Sequence, residues 1–290
     1  MVVPDVRARA GLVLAPLCVS LLVALSAVAP AWAEVPWPTR ADSTPLEARI
    51  APPVGFQRVA VAEGSFAAWL RALPVRAGRP EVRLFDGRKK GNQAAHAYVL
   101  DVDVGSLDLQ QCADLVMRLY AEHQWARGAY DQVCFRFTSG DRARWSAWAE
   151  GQRPQVRGSR VRWAQTARPA RDYRSFRAYL EQVFLYAGTH SLAKDLRPVP
   201  EGQPVEAGDV FIRGGFPGHA VVVLDVAEDA RGGRVFLLAQ SFMPAQEPHV
   251  LRVPDADEVW YPADGKGPLI TPEWPFDWRD RRRFQASGCP

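Results

Sequence analysis

The chain has few of the residues that most often carry metal or cofactor chemistry, with five histidines and four cysteines in 290 residues. His123, His190 and His249 stand apart without the spacing of metal ligands, so the sequence predicts no metal site. It also lacks a glycine-rich phosphate loop between strand and helix, a Gly-x-Ser-x-Gly elbow and an Asp-rich calcium loop. These absences argue against nucleotide-binding, serine-hydrolase and calcium-binding classes, and we expect no cofactor.

A strong charge of one sign is also missing, because the formal net charge is only +4 at pH 7. The arginines are scattered and then clustered at Arg281–Arg283, without the interleaved aromatic residues of a nucleic-acid platform. We therefore expect no nucleic-acid partner and a solvated basic surface. A hydrophobic fraction of 48% with ten tryptophans indicates a folded chain.

The first 33 residues have the pattern of an export signal. Arg7 and Arg9 form a basic start, residues 12–28 an apolar core, and residues 31–33 a small-x-small cleavage site. The sequence predicts a periplasmic or secreted protein with no membrane span after signal cleavage, and retention of the signal as an anchor is the alternative. Three cysteines would remain, Cys112, Cys134 and Cys289, and this odd number leaves at least one thiol free or paired with another chain.

Beyond the signal, the pattern predicts one α+β domain over residues 56–284, after a proline-rich lead-in over residues 34–55 and before a flexible tail over residues 285–290. A short helix is expected after an N-cap at Ser65, and a long helix from Asp172 with a left-handed exit at Gly188. Strands are expected at residues 56–62, 96–104, 210–212, 220–226, 235–239 and 249–253, the last four forming an antiparallel sheet.

One predicted helix carries a cysteine. Residues Leu109, Cys112, Ala113, Val116, Leu119 and Tyr120 form a single apolar stripe. Asp108, with Gln111 three residues later, resembles a capping box, which would put Cys112 at the end of the first turn. The negative charge of Asp108 would then oppose thiolate formation. A plain core thiol is the alternative interpretation of Cys112.

Two apolar strands joined by a Gly/Pro turn cover residues 208–226, and His219 stands at the start of the second. Gly208-Asp209-Val210-Phe211-Ile212 through Gly218-His219-Ala220-Val221-Val222 resembles the histidine block of NlpC-type and CHAP-type cell-wall hydrolases, and Cys112-Ala113-Asp114-Leu115-Val116 resembles their cysteine block. The resemblance implies a papain-like core, in which a helix with the cysteine packs on an antiparallel sheet with the histidine.

The same resemblance implies roles for individual residues. Cys112 would be the nucleophile, His219 the general base, and Gln240 the polar residue that orients the imidazole, with Ser241 as the alternative for that position. Peptide N–H groups at the helix start would favour the thiolate and hold a developing oxyanion. A turn-capping histidine and a glutamine that satisfies a buried backbone group are the alternatives.

Across nearly the whole chain after the signal, the sequence is similar to an uncharacterised family of secreted bacterial domains, a domain of unknown function. The similarity lies in blocks at residues 91–96, 109–114, 186–189 and 238–246. It implies that the mature chain is one unit.

These patterns lead to two hypotheses about function. The first is an extracytoplasmic cysteine hydrolase, an amidase or peptidase of a cell-wall or envelope substrate, with Asn92, Gln93, His96 and Ser241 as substrate contacts. A loop network is the alternative for Asn92, Gln93 and His96. The second hypothesis is a non-catalytic envelope-binding module whose groove is lined by Trp145, Trp148, Trp163 and Trp274.

Overall fold

The computed structural model describes residues 1–2 and 35–285. The predicted export signal therefore lies outside the described residues, apart from its first two positions. The described residues from 35 onward belong to one compact unit. No helix in the described part of the chain is long and apolar enough to cross a bilayer.

Six α-helices occur among the described residues: α1 (Leu46–Arg49), α2 (Phe66–Arg71), α3 (Cys112–Ala126), α4 (Trp145–Ala149), α5 (Tyr173–Tyr186) and α6 (Thr189–Asp195). The predicted N-cap of α2 at Ser65 is confirmed, and Asp172, predicted as the start of α5, is its N-cap. Ser65 Oγ accepts a hydrogen bond from Ala68 N at 3.2 Å, and Asp172 Oδ1 accepts one from Ser175 N at 2.8 Å. The predicted left-handed exit at Gly188 is wrong, because this residue is extended (φ −179°) and caps α6.

The strands are mostly short. They are β1 (Thr44–Pro45), β2 (Phe56–Arg58), β3 (Pro74–Val75), β4 (His96–Val99), β5 (Cys134–Arg136), β6 (Arg142–Arg144), β7 (Gln152–Arg157), β8 (Arg160–Gln165), β9 (Arg197–Pro198), β10 (Val210–Arg213), β11 (His219–Asp229), β12 (Arg234–Gln240), β13 (His249–Leu251), β14 (Trp260–Pro262), β15 (Leu269–Ile270), β16 (Pro275–Phe276) and β17 (Arg281–Arg283).

A nine-stranded sheet organises this mixed α and β fold. Its order is β4-β13-β12-β11-β10-β17-β9, with β14 paired to β12 and β2 paired to β11, and all pairs are antiparallel. The four successive strands predicted from the alternating pattern are present as β10 to β13. Short connections between neighbours explain their antiparallel pairing.

The two faces of the sheet bury different clusters. Along β11, Ala220 and Val222 belong to the larger cluster with residues of α3 and α5, whereas Val221 and Val223 belong to the smaller cluster with Phe276. This alternation follows from the two-residue period of a strand. Helix α3 packs against β11, so the cysteine-bearing helix covers the histidine-bearing strand.

Residues 35–55, predicted as an extended lead-in, are part of the packed unit. Trp37, Leu46 and Ile50 are buried in the larger cluster, and the Trp37 indole N–H donates to the Asp101 carbonyl at 2.8 Å. Prolines interrupt any periodicity here, so the pattern carried no sign of this packing.

The arginines at Arg281–Arg283 were predicted to lie on a solvated basic surface, but their environment is different. It forms β17, which pairs with β10, and Arg281 is buried. Arg283 Nε donates to the buried Asp209 carboxylate at 2.5 Å. Arg281 and Arg283 thus both pair with the buried Asp209 carboxylate.

Candidate functional site

Cys112 is the first residue of α3, and Gln111 is the N-cap. The Gln111 N–H donates to Asp114 Oδ2 at 3.0 Å, so the carboxylate at the third helical position fixes the helix start. The predicted cap at Asp108 is wrong, because its Oδ1 accepts from Ala245 N at 2.6 Å instead. Cys112 therefore lies at the first helical position rather than at the end of the first turn. At the first position, backbone N–H groups lack intrahelical partners.

The thiol of Cys112 is half-buried and is a free cysteine. Burial raises its pKa to about 11, and the negative charge of Asp114 acts in the same direction, whereas backbone N–H groups of Ala220, Ala113 and Cys112 lower the pKa by pointing at the sulfur. The opposing charge is thus that of Asp114 rather than Asp108. At neutral pH the group is a protonated thiol.

The N–H of Ala220 that reaches this sulfur belongs to the residue directly after His219. The thiol consequently lies beside the first residues of β11. Within the described residues, no hydrogen bond joins the sulfur to the His219 ring, and that ring packs on Phe276 of the smaller cluster, whereas α3 packs on the larger cluster.

His219 is the first residue of β11, and its side chain is buried. Its ring lies among aromatic rings, with centroid distances of 4.8 Å to Phe242, 5.7 Å to Trp274 and 5.9 Å to Phe276. Burial lowers the pKa of His219 to about 4, although the hydrogen bond to Gln240 opposes this shift. The imidazole is neutral at pH 7, so it can accept a proton.

Only glycine fits at position 218, directly before His219. A Cβ at Gly218 would lie 2.5 Å from the carbonyl oxygen of Gly215, 2.5 Å from Thr189 Oγ1 and 2.7 Å from the carbonyl oxygen of Arg213. These are contacts that no side chain tolerates. The close approach of α6 and the turn therefore explains why a glycine precedes the histidine.

Gln240 is the last residue of β12, and it contacts His219 directly. The Nε2 of His219 lies 2.7 Å from Gln240 Oε1. The Gln240 amide nitrogen donates to Glu273 Oε2 at 2.5 Å and lies 3.3 Å from His249 Nε2. Among the described residues, none hydrogen-bonds to Nδ1 of His219, so that ring atom is available to a reacting group.

Ser241, the alternative to Gln240, does not contact the imidazole by a hydrogen bond. Its Oγ lies 2.8 Å from the carbonyl oxygens of both Gln110 and Gln246. Gln110 stands two positions before Cys112, so Ser241 links the end of β12 to the start of the cysteine helix. Its polar group is used within the chain.

The three predicted substrate contacts near β4 have different environments. His96 is buried, and its Nε2 lies 2.9 Å from the Pro80 carbonyl oxygen. The Gln93 amide binds the backbone of Val82, with its oxygen accepting at 3.1 Å and its nitrogen donating at 2.9 Å. Asn92 is exposed and lines a cavity of about 540 Å³ together with Pro272 and other residues.

Three residues of the site were missed by sequence reasoning. They are Glu273, Lys90 and His249. Lys90 is buried and donates to Glu273 Oε1, and its Nζ also donates to the Asn92 carbonyl at 3.0 Å. Glu273 lies in a segment of proline and aromatic residues without periodicity, so nothing in the pattern pointed to it.

The remaining candidates are placed as follows. Trp145 and Trp148 are 2% and 5% exposed, so they lie in the core rather than along an open groove. Trp163 and Trp274 are partly buried. Cys134 is disulfide-bonded. The part of the chain that the structure describes contains no group of His, Cys, Asp or Glu side chains suited to hold a metal ion.

A family model matches residues 46–283, and the chain belongs to that family, which is described as domain of unknown function (4846). The match extends from the start of α1 to the end of β17, and therefore includes the whole of the site above. No curated protein and no solved structure matches the chain.

Proposed function

We propose that this member of the family is an extracytoplasmic cysteine hydrolase that cleaves an amide bond in a cell-wall-like peptide, and that α3 and the sheet form a papain-like core. One observation carries the proposal. Cys112 begins a helix whose thiol reaches the backbone beside His219, and the His219 ring is hydrogen-bonded through Nε2 to an amide on the next strand. Nδ1 of His219 is the ring atom that would have to meet the thiol, because a cysteine nucleophile needs a base beside it.

The proposed reaction needs proton transfer during the attack of the sulfur, because neither group is charged beforehand. Burial raises the pKa of Cys112 to about 11 and lowers the pKa of His219 to about 4, so both groups are neutral in the resting protein at pH 7. As Sγ forms its bond to the carbonyl carbon, the thiol proton passes to Nδ1 of His219 and the carbonyl electron pair moves to oxygen.

The second half of the reaction reverses these roles. The imidazolium donates its proton to the leaving amine nitrogen as the C–N bond breaks, which leaves a thioester on Cys112. His219 then takes a proton from water as the water oxygen attacks the thioester carbon, and the proton returns to the departing sulfur. Backbone N–H groups at the first turn of α3 stabilise the oxyanion in both steps.

The site favours this function over the envelope-binding module. An aromatic groove would need Trp145 and Trp148 at the surface, and both are buried in the core. For the substrate, the exposed Asn92 remains a proposed contact, at the cavity beside Pro272. The side chains of Gln93 and Ser241 are bound to backbone groups of the chain itself.

The test is cleavage of soluble peptidoglycan fragments that carry their stem peptides, followed by mass spectrometry. We expect hydrolysis of an amide bond by the protein, a transient acyl adduct on Cys112 after acid quenching, and loss of both in Cys112→Ala and His219→Ala. His190→Ala is the matched control, because His190 is an exposed histidine outside the site. An inactive protein, or a Cys112→Ala variant as active as wild type, would refute the proposal.

A further inference from the structure

Gln240 is the centre of a buried hydrogen-bond network with partners on three sides. Its amide oxygen faces His219 at 2.7 Å, and its amide nitrogen faces Glu273 at 2.5 Å and His249 at 3.3 Å. Gln240 and His249 are fully buried. A carboxamide can be turned by half a rotation, so the orientation of Gln240 decides which nitrogen of His219 carries the proton.

His249 requires the amide nitrogen on its side. The Nδ1 of His249 lies 2.9 Å from the Glu247 carbonyl oxygen, which can only accept, so Nδ1 carries the hydrogen. Burial lowers the pKa of His249 to about 3, and the ring is therefore neutral at pH 7. Its Nε2 is then an acceptor, which requires an N–H from Gln240.

Glu273 makes the same requirement more strongly. A carboxylate only accepts hydrogen bonds, and at 2.5 Å an amide oxygen in place of the nitrogen would be repelled. The buried Lys90 side chain donates to the other carboxylate oxygen of Glu273. Both N–H groups of Gln240 are thus used by acceptors, and only its oxygen is left for His219.

We propose that Glu273, held by Lys90, is a positioning residue that locks the Gln240 amide and thereby fixes His219 in the tautomer with hydrogen on Nε2 and a free lone pair on Nδ1. The catalytic consequence rests on the proposed function, because Nδ1 is the atom that would take the thiol proton. The tautomer itself is a property of the resting protein. It can be measured without any substrate.

The direct test is ¹⁵N NMR of the His219 ring at pH 7.5 in the ¹⁵N-histidine-labelled protein. The nitrogen without hydrogen resonates far downfield of the one that carries it. We expect Nδ1 to be the unprotonated nitrogen in wild type. A wild-type ring with hydrogen on Nδ1 would overturn the proposal, whatever the variants do.

The informative variant is Glu273→Gln. Lys90 would bind the oxygen of the new amide and turn its NH₂ group toward Gln240, so Gln240 would rotate and present its nitrogen to His219. We expect the Nε2–H population of His219 to fall roughly twofold or more as the Nδ1–H form appears. An unchanged His219 spectrum in Glu273→Gln would overturn the role of Glu273. Glu150→Gln is the matched control, since that carboxylate is exposed at the end of α4.

A double variant separates orientation from simple damage. Combining Glu273→Gln with Lys90→Met frees the new amide to turn its oxygen to Gln240, so we expect the Nε2–H tautomer to return. If the double variant keeps the same Nδ1–H population of His219 as Glu273→Gln, the proposed locking of Gln240 is contradicted.

Activity gives a separate readout. If the proposed amidase activity is found, kcat of Glu273→Gln should fall by about tenfold or more with little change in KM, because orientation of the base is lost and substrate contacts are kept. A tautomer that changes in a protein without hydrolase activity would support the positioning role and refute the proposed function.

Discussion

The alkylation of Cys112 by iodoacetamide should depend steeply on pH. Burial raises the pKa of this thiol to about 11. At pH 7 about 1 molecule in 10,000 then carries the thiolate, compared with about 3% for an unperturbed cysteine. The thiolate is the reacting species, so its population alone would slow the native protein roughly 300-fold.

Part of this decrease in the alkylation rate is offset, because a more basic thiolate is a better nucleophile. A Brønsted coefficient near 0.4 converts the difference of about 2.5 pKa units into about a tenfold gain. The native protein should therefore react about 30-fold more slowly at pH 7 than the same cysteine in the urea-unfolded chain. Between pH 7 and 10 the native rate should rise about tenfold for each pH unit.

The assay is quenched labelling followed by mass spectrometry of the peptide that contains Cys112, with the unfolded protein as internal control. Asp114→Asn should increase the native rate, since it removes a charge that raises the pKa of Cys112 and keeps an oxygen for the Gln111 N–H. A rate that is flat between pH 6 and 8 would show a thiolate already formed near neutrality. That result would refute the burial argument.

Two predictions concern stability. Asp225→Ala should lower the free energy of unfolding by about 3 kcal/mol in a urea titration, because fully buried Asp225 pairs with Arg58 at 2.7 Å and Arg71 at 2.5 Å. The control is Glu228→Ala, which removes a more exposed ion pair and should cost under about 1 kcal/mol. Equal losses in the two variants would contradict the prediction. Burial lowers the pKa of His219 to about 4, so the unfolded chain takes up the proton first and stability should fall as the pH drops from 6.5 to 4. His219 should account for about 3 kcal/mol of this decrease in the free energy of unfolding. A urea midpoint that falls with pH as much in His219→Gln as in wild type would be inconsistent with this role.

The parts of the fold that sequence patterns could predict are those with local signals. The alternating pattern after Gly208 predicts β10 and β11, the apolar period after Asp172 predicts α5, and the Ser65 cap predicts the start of α2, because periodicity and capping act over a few residues. Strand β17 and the segment around Trp37 were missed. Both consist of short pieces stabilised by partners far away in the chain, and their own residues carry no period.

The candidate site divides in the same way. Cys112, His219 and Gln240 could be proposed because each lies in or near a recognisable helix or strand. Glu273 and Lys90 are separated by 183 positions and meet only in the folded protein. The sequence could not predict the raised pKa of the thiol either. This shift arises mainly from burial, which depends on the packing of α3 against β11.

The position of β17 has a consequence for the order of folding. This strand lies between β10 and β9 in the sheet, whereas β2 and β4, from the other end of the chain, pair with β11 and β13. The sheet cannot be completed until residue 283 has been synthesised, and a shorter chain would leave the hydrogen-bonding edge of β10 open to other molecules. Contacts of such long sequence separation make folding slow, so a nascent chain needs protection from aggregation until its last strand is in place.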